Sequence, residues 1–409
     1  MYISKYKLCL TDYLLFLLIQ MMLLAQTGYM SIKIAIIILI CIFNQTKRLY
    51  RFKYYNGLIF RILGFILFCG FYRISSAILM GTMETDVLLR HFSFLIINPL
   101  LYYLLIPNIK GDAGAEKVCF FLLIGHFFLI FIGLYNLFAV FVGLHPIILM
   151  DDDIFIVSEE SISFSSSGTY QMFLTLPVFF TLGFSKFINS KLFLFGGILS
   201  AVYVVLCGSA AMIIVGLGCL LIPLALKYFY LLNINKPFNI KKDIFIILII
   251  GSLGYLGFSE KPFMEVAYQD FIYHFDKDYD IRFEQRKLLL DAWMESPVWG
   301  KGYGAYFVTS RGRERGFESM YHATLATTGL VGLVLYLLPV YIIIVNLYRK
   351  SQKDESPFEA ALLFGYISML ICSITNPALA SFDRLLVIYL CIGCLAEKKS
   401  VKYHANQIC

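Results

Sequence analysis

Charge is scarce in this sequence: only 15% of its 409 residues are Asp, Glu, Lys or Arg, whereas 59% belong to the set AVILMFWYC. A soluble domain carries about 25% charged residues, so the shortfall excludes a soluble enzyme and a nucleic-acid binder. The mean hydropathy of +0.76 points the same way. Cysteine is missing from the long polar stretches, and the ten present fall almost wholly inside apolar runs. A secreted disulfide scaffold is therefore excluded too. Cys391 and Cys394 form a CxxC in an apolar run without His or acidic neighbours, which suits neither redox nor metal chemistry. No internal repeat is visible. No small-residue cleavage pattern follows the apolar stretch after Lys5 and Lys7, so that stretch is expected to persist as a first span.

What is there is a series of apolar runs bounded by charge clusters, turn residues or Pro. They predict spans near 8–27, 29–44, 58–80, 87–106, 118–141, 170–185, 192–207, 211–231, 243–258, 321–348, 358–373 and 379–396, since about 20 apolar residues cross about 30 Å of hydrocarbon. Charge gives an independent reading. The loops at 45–57, 107–117, 185–191, 227–242 and 349–357, with both termini, hold 20 of the 34 Lys and Arg. The intervening loops at 81–87, 142–169, 208–210 and 373–383 hold none. The positive-inside rule then puts both termini in the cytoplasm. The expected fold is all-α: one polytopic transmembrane domain over 1–409, with about twelve membrane-spanning helices.

Residues 259–319 form the one long polar loop, 61 residues with nine Lys and Arg, on the outer face by parity between the ninth and tenth spans. Loops of this length escape the positive-inside rule. Within it, 282–296 reads as an amphipathic helix with Arg282, Arg286, Leu289 and Trp293 at helical spacing, stopped by Pro297. Gly300, Gly302 and Gly304 follow as a tight turn; with no strand before it and no helix after it, a dinucleotide site is excluded. The other outer loop, from His145 to Tyr170, is Ser-rich and acidic and is expected to be mobile. Its Asp151, Asp152 and Asp153 cannot all face one cation and read as a solvated run, and no other clustered metal ligands are visible.

His322 stands where the long loop meets the tenth span, and an imidazole there can serve as a general base near neutral pH. The plainer reading is a histidine tolerated at the headgroup level. Glu318, one turn earlier, could orient its ring. Arg282 and Arg286 share a helix face, and two guanidiniums one turn apart suit a diphosphate; alternatively they form a solvated polar face. Arg311, Arg313 and Arg315 read as a second anion site or as headgroup anchors. Arg73, Arg90, His91 and Arg384 fall in the outer parts of spans, where charge points to a functional cavity. Of these, Arg73 and Arg384 have the simpler reading of snorkelling to the surface, which leaves Arg90 and His91 as the cavity candidates.

The run from Arg282 to Arg286 through Trp293, Pro297, Gly300, Gly302 and Phe307, with His322, Leu325, Thr328, Gly329, Gly332 and Leu333, resembles bacterial O-antigen polymerases of the Wzy type and the related O-antigen ligases. The likeness covers roughly residues 190–345. It implies transfer of a polyprenyl-diphosphate-linked glycan onto the non-reducing sugar of another lipid-linked repeat unit, at the outer face of the bacterial cytoplasmic membrane. The product would be O-antigen, capsule or another exopolysaccharide. By that resemblance Arg282 and Arg286 hold the diphosphate, His322 is the base, and no cofactor or metal is needed. The partners are lipid-linked donor and acceptor, membrane lipids and a chain-length regulator protein, with no nucleic acid. Where the family often carries a Ser-Arg pair, this chain reads Gly208-Ser209-Ala210-Ala211, so Arg90 or Arg311 would have to supply that charge. A ligase placing the glycan on lipid A core differs only in acceptor. A twelve-span flippase or transporter is the alternative from another class, opposed by the long outer loop and the absent repeat.

Overall fold

The computed structural model describes residues 9–24, 29–46, 57–142, 144–145, 147, 154–157, 162–165, 171–185, 189–206, 282–309, 312–314, 317, 319–353, 357–374 and 382–396. They are mostly helical. Helices α1 (Leu10–Leu24), α2 (Met30–Thr46) and α3 (Gly57–Met80) occupy the first three expected spans. The fourth is broken into α4 (Thr85–Phe92), a π turn over Ser93–Ile97, α5 (Asn98–Tyr103) and α6 (Ile106–Ile109). The physical reason is Pro99, which has no N–H to give the carbonyl of Leu95. The backbone widens just before it, and Asn98 N–H donates to Ser93 O.

Further along come α7 (Gly111–Val142), α8 (Met172–Gly183), α9 (Ser190–Leu206), a helix α10 over 282–295, α11 (Met320–Lys353), α12 (Pro357–Cys372) and α13 (Phe382–Leu395). The expected spans at 211–231 and 243–258 lie outside the described residues. Two short hairpins depart from an all-α reading. In the first, β1 (Ile154–Val157) pairs antiparallel with β2 (Ile162–Ser165), within the loop expected to be mobile. Its Ile-Phe-Ile-Val run is the β-prone stretch that Ser-rich neighbours obscured. In the second, β3 (Phe307–Thr309) pairs with β4 (Gly312–Glu314).

Among the described residues three helices are, by length and composition, long and apolar enough to cross a bilayer: Gly57–Met80, Gly114–Asn136 within α7, and Met320–Gln352 within α11. The remaining apolar helices are shorter. Phe128, Phe131, Leu134 and Phe138 on α7, and Leu330, Val334, Leu337 and Tyr341 on α11, are exposed every three or four residues. Apolar stripes of this kind suit a lipid surface. The centre is α8, buried at every position from Met172 to Leu182 and packed by α9 and α12.

Helix α11 is interrupted at Gly329, whose φ of 65° and ψ of −169° are not helical. A continuous helix would bond Leu330 N to Ala326 O and Val331 N to Thr327 O. Instead the segment after α10 takes all four groups. Lys301 N–H donates to Ala326 O (2.9 Å) and Gly302 N–H to Thr327 O (2.9 Å), while Leu330 N–H donates to Pro297 O (2.9 Å) and Val331 N–H to Val298 O (3.3 Å). The four backbone groups that the break takes out of the helix are thus paired again, as a buried break requires. Leu289 and Ala292 of α10 complete the joint by packing with Ala305, Phe307, Phe317 and Ala326.

Candidate functional site

Two cationic centres flank the first turns of α11. The first is at its N-terminus. Ser319 N-caps the helix, its carbonyl accepting from Ala323 N–H at 3.0 Å, and its Oγ lies 2.5 Å from His322 Nδ1. His322 is half-buried, and Arg286 of α10 is close enough to act on it electrostatically. Arg286 is half-buried with its Nε inside the protein and unbonded. Arg282, one turn earlier, is also half-buried, but Leu289 from the same stripe is fully enclosed. The amphipathic reading of this helix thus splits: Leu289 enters the joint with α11, while Arg282 and Arg286 stay half-buried. Trp293 Nε1 donates to Pro297 O at 3.0 Å and holds the turn that follows.

The second centre is a cavity of about 750 Å³ among α3, the broken α4–α5 segment, α11, α12, α13 and the glycine turn. Arg73 enters it from α3 and is only 9% exposed. Its guanidinium carbon is 5.5 Å from the ring centre of Tyr303 and 5.4 Å from that of Tyr336, within cation–π range. Thr324 Oγ1 accepts from it at 3.5 Å, and its Nε has no partner. His91 Nδ1 is 3.2 Å from Tyr303 Oη, with the rings edge to face. Arg90 lines the same space and is exposed. Among the described residues no carboxylate lines the cavity. Tyr303 is fixed by its backbone: its N–H donates to Ser76 Oγ at 3.4 Å, and its carbonyl accepts from Thr82 Oγ1 at 2.6 Å. Burial pushes its phenol above the usual value, against the opposing pull of Arg73, so it remains a neutral O–H.

The two centres do not merge. The cavity takes Met320, Ala323, Thr324 and Thr327 from α11, one helical face at i, i+3, i+4 and i+7. At about 100° per residue, His322 projects from the other side of that turn. The structure thus brings Arg90 and His91 together with Arg73, and His322 together with Arg286, but it keeps the pairs apart. Glu318 and Arg311 lie outside the described residues, as does the Gly208–Ala211 stretch, and only the backbone of Arg384 is described. Sequence reasoning missed two residues and left a third, Arg73, with two readings. Arg73 does not snorkel. Ser319 was detectable from the Ser-x-x-His spacing at a helix start, a relative of the capping box. Tyr303 carried no signal, since 28 tyrosines gave no reason to choose it.

No protein-family model matches the chain, and no curated protein matches it.

Proposed function

We propose that this chain is a glycosyltransferase of about twelve spans in the bacterial cytoplasmic membrane, with both termini cytoplasmic, that polymerises polyprenyl-diphosphate-linked oligosaccharide repeat units on the outer face. The observation that carries the reading is the joint between α10 and the start of α11, where Leu288 and Leu289 pack with Ala323 and Ala326 and Arg286 comes within electrostatic reach of His322. Glycosyl transfer from a lipid diphosphate needs these two functions side by side: a cation for the leaving group and a base for the attacking hydroxyl.

In the proposed step an acceptor sugar hydroxyl attacks the donor's anomeric carbon and loses its proton to His322 Nε2. The anomeric C–O bond breaks, and the diphosphate leaves with the electron pair toward Arg282 and Arg286. For Nε2 to be the base, Nδ1 must carry the proton of the neutral ring and donate it to Ser319 Oγ, the contact at 2.5 Å. Ser319 then has the orienting role that Glu318 was expected to fill.

The test is deletion of the gene in its host. Loss of polymer with accumulation of a single lipid-linked repeat unit supports the reading, and restoration by the wild-type chain completes it. Unchanged polymer length and amount would sink it. Unglycosylated lipid A core with polymer still made on its lipid carrier would identify a ligase, and repeat units trapped on the cytoplasmic face would identify a flippase.

A further inference from the structure

We infer that the Arg73 cavity is a second lipid-phosphate site, which binds the diphosphate head of a polyprenyl lipid independently of the Arg286–His322 centre. A guanidinium is never neutral in a protein, and burying it without a counter-charge is unfavourable. Among the described residues Arg73 faces no carboxylate; it has two aromatic faces, one long hydroxyl contact and an unbonded, enclosed Nε. An anion entering the cavity supplies the missing partner, and a phosphoryl group fits the guanidinium fork. Arg90 and His91 line the same space and add charge and a second donor.

The rest of the lining names the other half of the ligand. The break at Gly329 turns α11 back on itself, so that Tyr336 Oη lies 3.8 Å from Met320 Sδ, and both arms of the helix wall the cavity. The polar groups Thr324 and Thr327 lie on the first arm, beside Arg73 and Tyr303, and the second arm adds Val340 and Ile343, which with Leu385 and Ile388 make an apolar wall. A charged head with an apolar tail matches that division; a free phosphate would leave the apolar wall unused.

Lipid binding at Arg73 stands without the transferase reading; its role in polymerisation rests on that reading. Polymerisation uses two lipid-linked substrates, one whose diphosphate leaves and one whose diphosphate is retained. The cavity, on the other side of α11 from His322, then holds the retained diphosphate of the acceptor.

Native mass spectrometry of the purified full-length protein in detergent, titrated with a polyprenyl diphosphate, tests the idea. Wild type should bind two copies. Arg73→Met should bind one, with the lost site weakened about ten- to hundredfold, the range for a charge-assisted hydrogen bond. Arg73→Lys should recover part of it, and Arg282→Ala/Arg286→Ala should also bind one. Matched thermal stability of the Arg73 variants and wild type in detergent rules out a folding defect, and Tyr303→Phe, which keeps the ring and loses the contact with His91, should still bind two. Two copies in Arg73→Met, or one in wild type that only the loop variant loses, overturns the site. Equal competition by phosphatidylglycerol makes it an ordinary headgroup site, and equal competition by inorganic diphosphate removes the lipid; either overturns the proposal. If two copies bind but gene deletion leaves polymer unchanged, the site stands and the acceptor role falls.

Discussion

Gly300 and Gly329 meet backbone to backbone where the outer loop enters the break in α11. A Cβ on Gly300 would sit 2.6 Å from Gly329 N, and one on Gly329 would sit 2.2 Å from Val298 O. Both residues have positive φ, 73° and 65°, and the pairing of φ and ψ at Gly329 is essentially open to glycine alone. The contact is thus over-determined by sterics and conformation together. Gly329→Ala should add about 1–3 kcal/mol of backbone strain on top of the clash, and Gly300→Ala a comparable amount. The expected result is a melting temperature in detergent lower by several degrees and a reduced yield of monodisperse protein. Unchanged melting of both variants would mean that the loop is not inserted into the helix.

The break also explains how far the sequence could be read. Apolar runs gave most helices of the described residues within a few positions, because membrane-length hydropathy is a strong, one-dimensional signal. The spacing Pro297-x-x-Gly300-x-Gly302 and the isolated Gly329 were visible as motifs, but their meaning is a reciprocal set of backbone bonds between segments about thirty residues apart, which no local pattern encodes. Arg73 was left with two readings for a related reason. Near the end of an apolar run an arginine can reach water or face inward, and only the ring positions of Tyr303 and Tyr336, from the loop and from α11, decide between these.

Orientation can be checked from both sides of the membrane. With the native cysteines removed, Met294→Cys on the exposed face of α10 and Ser259→Cys should react with an impermeant thiol reagent in intact cells. Asn235→Cys should react only after the cells are opened. Labelling of Asn235→Cys alone in intact cells would invert the proposed topology.

Arg282 tests the leaving-group clamp. Arg282→Ala should abolish polymer at normal protein abundance and leave a single lipid-linked unit in the membrane. Arg282→Lys should rescue poorly, since an ammonium cannot donate two parallel hydrogen bonds to a diphosphate. Polymer of ordinary length from the alanine variant would return Arg282 to a solvated helix face.

His322 and Ser319 separate base from scaffold. If His322 accepts the acceptor's proton, His322→Ala should lower the transfer rate by about two to four orders of magnitude in reconstituted protein supplied with purified lipid-linked repeat units. His322→Gln should be nearly as slow, because the amide can hydrogen-bond a hydroxyl but cannot take its proton. Ser319→Ala removes only the contact to Nδ1, and one neutral hydrogen bond is worth about 0.5–1.5 kcal/mol, so its loss should be roughly threefold to tenfold. The ordering is the test, since a capping role alone would give a different pattern: Ser319→Ala would lower the melting temperature, and His322→Gln would keep most of the activity. Near wild-type turnover by His322→Ala would take the base assignment away and leave the Arg286–His322 pair as an anion site without chemistry.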